Sequence, residues 1–261
     1  MTVSTLFQAP QLPVALSYGT APLPCFFKQA EYNAFLFAAH KGAVVNELAD
    51  TGLKPALYWC GQPLVAIGCI RYHASDLGAY DEVIVAVPAV PAADTAFAVS
   101  NWLNLLAPLH RKRVGQYILD IPVTSEFSRV AGNELWGYPK IVAPITHEFQ
   151  QRSIHSTVFD PASGNRVVRV AGSFGKGLPA VPLSLLTYSF RKGKLLRTEV
   201  VVEGHTRLHI KPAIRLLAGD AANPMAARLH RLGLHNASAL LLLRMPLFRA
   251  VFLEGKEVGG N

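Results

Sequence analysis

Cysteine is scarce: the 261 residues hold three, Cys25, Cys60 and Cys69, with no CxxC spacing and no histidine cluster beside them. That pattern gives no disulfide framework and no zinc ligand set, so the three read as small buried residues of a reducing compartment. Charge is thin as well, at 16% of residues, and the net +8 is dispersed over 111–113, 191–194 and 207–231. No run of about five or six like charges occurs. The basic excess therefore implies no nucleic-acid partner and suits an anionic small molecule equally well. Long apolar runs are missing too: proline or arginine interrupts every stretch before the roughly 20 residues that a bilayer-spanning helix needs. Residues 1–16 carry no basic segment and include Pro10 and Pro13, a poor secretory signal. The expectation is a cytoplasmic protein with no membrane partner. No internal repeat and no interdomain linker appear, and the glycine-rich GSFGKG at 172–177 lacks both the GxxxxGK[ST] pattern and a following helix signature, so it reads as a loop.

What is abundant is apolar sequence, 51% of the chain, enough for a large core. Residues 1–24 contain four prolines and little periodicity, which predicts an extended arm that packs late or against a neighbouring subunit. Residues 25–261 form one domain. Stretches rich in Val, Ile and Tyr at 54–72, 79–90, 117–123, 145–149, 153–160, 166–174, 184–190, 195–203 and 207–212 read as strands. Turn chemistry separates them at Asp160, Pro161, Gly164 and Asn165 and at 191–194. Helices are expected from about His40 to Leu48, over 92–107 with Phe97, Val99, Trp102, Leu103 and Leu106 as the apolar face, and over 221–232. A last apolar segment, 240–252, carries Arg244 and Arg249 pointing outward. Many strands with short turns predict an α+β fold: a mainly antiparallel β-sheet curled into a barrel or cone with flanking helices.

One stretch organises the functional reading: EFSRVAGNELWGYPKIVAP, residues 126–144. Its lysine, Lys140, follows Pro139 and the aromatic pair Trp136 and Tyr138. From Val130 onward only Asn133 and Glu134 are polar on its N-terminal side. A lysine held among apolar groups loses hydration, which disfavours its ammonium form, and a neutral amine can attack a ketone to form a Schiff base. The other reading is a loop lysine whose stem is covered while its amine reaches water.

The run Gly132, Glu134, Leu135, Tyr138, Pro139, Lys140 resembles the signature of the acetoacetate decarboxylase family, and Glu126 matches an acidic position upstream of it. Weaker likeness occurs in LGAYDE at 77–82 and in Thr187, Tyr188, Ser189, Phe190 and Glu199, so that the resemblance spans about 25–235. It implies that Lys140 is the Schiff-base lysine and that Glu82 faces it, orienting substrate or moving a proton; otherwise Glu82 lies exposed at a strand edge. It implies further that Trp136 and Tyr138 wall a substrate site, that a small keto acid is bound, that no cofactor or metal is needed, and that the chain forms a homo-oligomer. In the family the residues matching Pro139 and Lys140 open a short helix or turn.

Three departures bear on the reaction. Where the family has an arginine for the substrate carboxylate, alignment gives Ala38, with His40 the nearest cationic candidate. A second family glutamate falls near Ile67 or Gly68, and the residue after the lysine is Ile141 in place of a second lysine. The expected function is a Schiff-base-forming lyase on a keto acid, chiefly decarboxylation of acetoacetate or a related β-keto acid. A divergent aldolase-dehydratase and a non-catalytic binding protein of the same fold stand as alternatives.

Overall fold

Seven apolar segments pair edge to edge until the last meets the first. In the computed structural model, which describes residues 3–96 and 98–258, they are β1 (Cys25–Ala38), β2 (Gln62–Ser75), β3 (Tyr80–Pro91), β4 (Gly115–Val123), β5 (Leu185–Arg191), β6 (Lys194–Gly204) and β7 (Leu241–Phe252). Neighbours in sequence are neighbours in space, and β7 closes the barrel by pairing with both β6 and β1. Every pairing is antiparallel except β4 with β5, because the chain between them leaves the barrel at one end and returns at the other. The α+β barrel expected from the sequence is the fold found.

Strands of this barrel are buried on both faces, which is why they read as nearly continuous apolar runs. Along β3, Tyr80, Glu82 and Ile84 face the barrel interior. The alternate residues Val83, Val85 and Val87 face outward into a second core, as the two-residue period of a strand requires. That outer core is covered by a five-stranded antiparallel sheet running in the order Ile145–Phe149, Ser153–Phe159, Arg166–Ser173, Ala213–Ala218 and Ala237–Ser238. Helix Pro224–Arg231 adds Met225, Ala226 and Leu229. No helix among the described residues is long and apolar enough to cross a membrane.

Several expectations are corrected. The stretch 54–72 is not one strand, because a turn at Cys60, with φ +47°, and Gly61 folds Tyr58–Trp59 back on β2. Cys60 is consequently exposed, whereas Cys25 and Cys69 are buried and their thiols are pushed up to about 12 by burial. The helix expected over 92–107 is only Ala98–Asn104, and Val99, Leu103 and Leu106 are exposed; Phe97 lies outside the described residues. Arg244 does not point outward: it pairs with Glu31 at 3.5 Å, donates to the Gln151 carbonyl and covers Phe174. Residues 12–23 form a hairpin of Leu12–Ala15 with Thr20–Leu23, held to its own chain by Gln11 donating to Asp76 (2.6 Å) and by the Ser17 N–H donating to Glu134 (3.1 Å). The loop reading of GSFGKG holds only for 174–177, because Gly172 and Ser173 end the strand Arg166–Ser173 and pair with Ile214 and Ala213; no helix follows.

His147 lies between barrel and outer sheet, its Nε2 donating to the Ile70 carbonyl (3.1 Å) and its Nδ1 accepting from Ser156 (2.9 Å). Those bonds suit the neutral ring, and burial pushes its pKa down to about 4. The unfolded chain, with histidine near 6.5, then takes up the proton first as pH falls. Stability is full above about pH 6.5 and declines by about 3 kcal/mol as pH drops to about 4. Urea unfolding of the wild type across that range is expected to show the decline, and a His147→Asn variant is expected to flatten it.

Candidate active site

Lys140 is delivered by a helix and a turn that the sequence specifies residue by residue. Ser125 caps helix Glu126–Trp136 by accepting from the Ser128 N–H (3.2 Å), and Glu126 pairs with Arg129 on the surface. The helix stops at Gly137, which takes the left-handed conformation, φ +65°. A Cβ there would also lie 2.8 Å from the Phe190 carbonyl carbon, so glycine is required twice over. The turn returns the chain to the barrel, where Lys140 opens a strand, Lys140–Val142, pairing in parallel with β4 opposite Ile121. The short helix or turn expected there is therefore a strand. Asn133 fixes it: its side-chain oxygen accepts from the Lys140 N–H (3.1 Å) and its amide donates to the Lys140 carbonyl (3.4 Å).

The lysine stem then runs across the helix. A Cβ on Gly132 would sit 2.7 Å from Lys140 Cε and closer still to Cδ, so this glycine is the groove in which the side chain lies. Only 6% of Lys140 and 3% of Glu82 is exposed, which removes the strand-edge reading of the carboxylate and the water-reaching reading of the amine. Lys140 Nζ donates to Glu82 Oε2 (2.6 Å) and to Ser128 Oγ (3.0 Å), and lies 5.3 Å from the centre of the Tyr80 ring. The Tyr80 ring lies 4.6 Å from that of Tyr72, and Tyr72 donates to Glu82 Oε1 at 3.4 Å. Five side chains thus gather in a buried cluster. Burial first, then the Glu82 charge, pushes the Tyr72 and Tyr80 phenols well above their ordinary range, so both remain protonated donors.

The cluster borders a cavity of about 60 Å³ inside the barrel. Lys140 and Glu82 are its only charged lining groups among the described residues. Trp136 and Tyr138 both line it, stacked with centroids 5.9 Å apart. Trp136 is anchored by donation to the Leu253 carbonyl (2.9 Å) and Tyr138 by its hydroxyl bond to Thr187 (2.7 Å). His40 is elsewhere. It is exposed at the start of helix Lys41–Glu47, with its ring against Gly233. At about 3.3 Å per strand residue, it lies too far along β1 from the cavity-lining Tyr32 to reach substrate. Ala38, two residues before it, is likewise absent from the lining. At Gly68, where a second glutamate was sought, a Cβ would meet the Tyr32 ring at 3.0 Å and Ile84 at 3.5 Å. A tyrosine ring fills the place of the missing side chain.

Sequence reasoning brought Lys140, Glu82, Trp136 and Tyr138 together and missed Ser128 and Tyr80. The signals were present. Tyr80 is two residues before Glu82 on one strand, hence on its face, and Ser128 is four before Gly132 on one helix, hence above it.

The family model described as acetoacetate decarboxylase (ADC) matches residues 12–207. The chain belongs to the acetoacetate decarboxylase family. Its fold is shared with solved members at low identity. A structure reported as structural studies of acetoacetate decarboxylase is 17% identical, with TM-score 0.66 over 99% of this chain and 98% of that one. Acetoacetate decarboxylase from Legionella pneumophila subsp. pneumophila str. Philadelphia 1 is 14% identical, with TM-score 0.64 over 96% and 92%. The enduracididine biosynthesis enzyme MppR, solved in complex with pyruvate, is 12% identical, with TM-score 0.65 over 94% and 98%. No curated protein matches the chain in sequence.

Proposed function

We propose that the protein is a lyase in which Lys140 forms a Schiff base with a keto acid, the favoured reaction being decarboxylation of a β-keto acid. The observation that carries this reading is the buried amine of Lys140, 2.6 Å from the equally buried carboxylate of Glu82 at the wall of an enclosed aromatic cavity. The pair has no net charge either as ammonium and carboxylate or as amine and carboxylic acid, so a proton can pass between them without leaving uncompensated charge in the barrel. In the second form the amine lone pair attacks the carbonyl carbon, and Glu82 gives its proton to the oxygen, takes one back from the nitrogen and delivers that to the same oxygen, which leaves as water. The resulting iminium accepts the electron pair released as the bond to carbon dioxide breaks, giving an enamine. A proton added at the enamine carbon, relayed through Glu82, regenerates the iminium, and water then frees the ketone and the amine. Ser128 holds Nζ, and Trp136 and Tyr138 wall the cavity against water.

A second reading, aldol-type condensation, has one observation in its favour: the cavity offers a substrate carboxylate no cation beyond the lysine itself. There the iminium would lose a proton from its adjacent carbon to Glu82, and the resulting enamine would attack an aldehyde. One relative of the same fold, MppR, is described in complex with the condensation product of pyruvate and imidazole 4-carboxaldehyde.

Carbon dioxide release from a panel of β-keto acids tests the first reading. The wild type is expected to accelerate it and Lys140→Ala to lose the acceleration. Release that survives Lys140→Ala would remove the lysine from the mechanism. Folded wild-type protein that releases none, yet joins pyruvate to an aldehyde, would favour the second reading.

A further inference from the structure

The cavity is largely apolar and its one cation among the described residues is already paired, and this bears on which carbonyl compounds it takes. Its charged lining groups are Lys140 and Glu82, paired with each other, and of its lining hydroxyls Tyr138 and Thr187 bond each other while Tyr72 donates to Glu82. Most of the remaining lining is aliphatic or aromatic, including Phe27, Ile70, Ile84, Leu185, Met245 and Phe248. A carboxylate bound here would be buried next to Glu82, and the one available cation already has that partner. An unpaired buried charge is costly, and a like charge beside it adds to the cost. An apolar chain meets the opposite situation, since every methylene placed against this lining leaves water for a packed aromatic and aliphatic wall. Gly68 points the same way. The absence of a side chain there admits the Tyr32 ring beside Ile84, the register neighbour of Gly68, and unbranched Met245 can adapt to ligand shape.

We infer that the site selects its substrate by an apolar chain on the carbonyl carbon, longer than the methyl group of acetoacetate, and not by a carboxylate. The inference rests on the Schiff-base reading for the orientation of the carbonyl towards Lys140, but chain selection itself is measurable without that chemistry.

Calorimetric titration of the wild-type protein with acetone, butanone, methyl propyl ketone and methyl butyl ketone reads the selection directly. Borohydride trapping of the same series reads imine formation. Affinity is expected to rise about fourfold per added methylene, the equivalent of burying one CH₂, and acetoacetate is expected to bind no more tightly than methyl propyl ketone. Ile84→Ala, which enlarges the cavity, is expected to carry the rise at least one methylene further. Affinity that is flat along the series, absent for all four ketones, or highest for acetoacetate would overturn the inference. Affinity that rises with chain length while no adduct forms would leave the inference standing and overturn the Schiff-base reading instead.

Discussion

Glu82→Gln is expected to lower turnover by about 10²–10⁴-fold, the range associated with loss of a positioned acid–base group. It is also expected to cost about 3–5 kcal/mol of stability, because removing one partner of a buried pair leaves the other without compensation. The reason lies in the surroundings. Neither Lys140 nor Glu82 has appreciable access to water, and the remaining neighbours of the amine are Ser128 and the Tyr80 ring. A double variant, Lys140→Met with Glu82→Leu, is expected to recover most of the lost stability with no recovery of turnover, since replacing both members of a buried pair by apolar groups is often neutral or better. Urea unfolding of the wild type, both single variants and the double variant measures this coupling. A Glu82→Gln protein as stable as wild type, with undiminished turnover, would show that the short contact matters to neither stability nor chemistry.

Gly132→Ala carries the second large effect. The new methyl group would fall 2.7 Å from Lys140 Cε and nearer still to Cδ, so the lysine stem must move, because the helix backbone beneath it is capped at both ends. Overpacking of this kind costs about 1–3 kcal/mol. Displacing a reacting atom by about 1 Å can slow chemistry by about 10²-fold. Thermal unfolding and single-turnover adduct formation together read the two consequences. A variant that keeps wild-type adduct kinetics would mean that the groove does not set the position of the amine.

The parts of this site that were legible in the sequence are those fixed locally. Lys140 stands in a run where Gly132, Gly137 and Tyr138 each have a backbone or packing reason to be there, and the barrel strands show as long apolar runs because both faces are covered. What the sequence concealed depends on contacts across the fold. His40 is close to β1 in sequence, yet the strand carries it away from the cavity; Arg244 finds Glu31 and the Gln151 carbonyl on other strands. The apolar period over 92–107 was real, but periodicity does not say which face is covered, and Val99 and Leu103 proved to be on the open one. Helix Glu126–Trp136 was overlooked because Gly132 and Asn133 are weak helix formers. Ser125, capping the Ser128 N–H, was the signal that could have revealed it.

Borohydride reduction in the presence of a ketone, followed by intact-protein and peptide mass spectrometry, tests most directly whether Lys140 is the covalent centre. The predicted result is one adduct per chain, located on the peptide bearing Lys140 and absent from Lys140→Ala. A stable adduct on some other lysine, or none at all in folded protein with any carbonyl compound offered, would contradict the account.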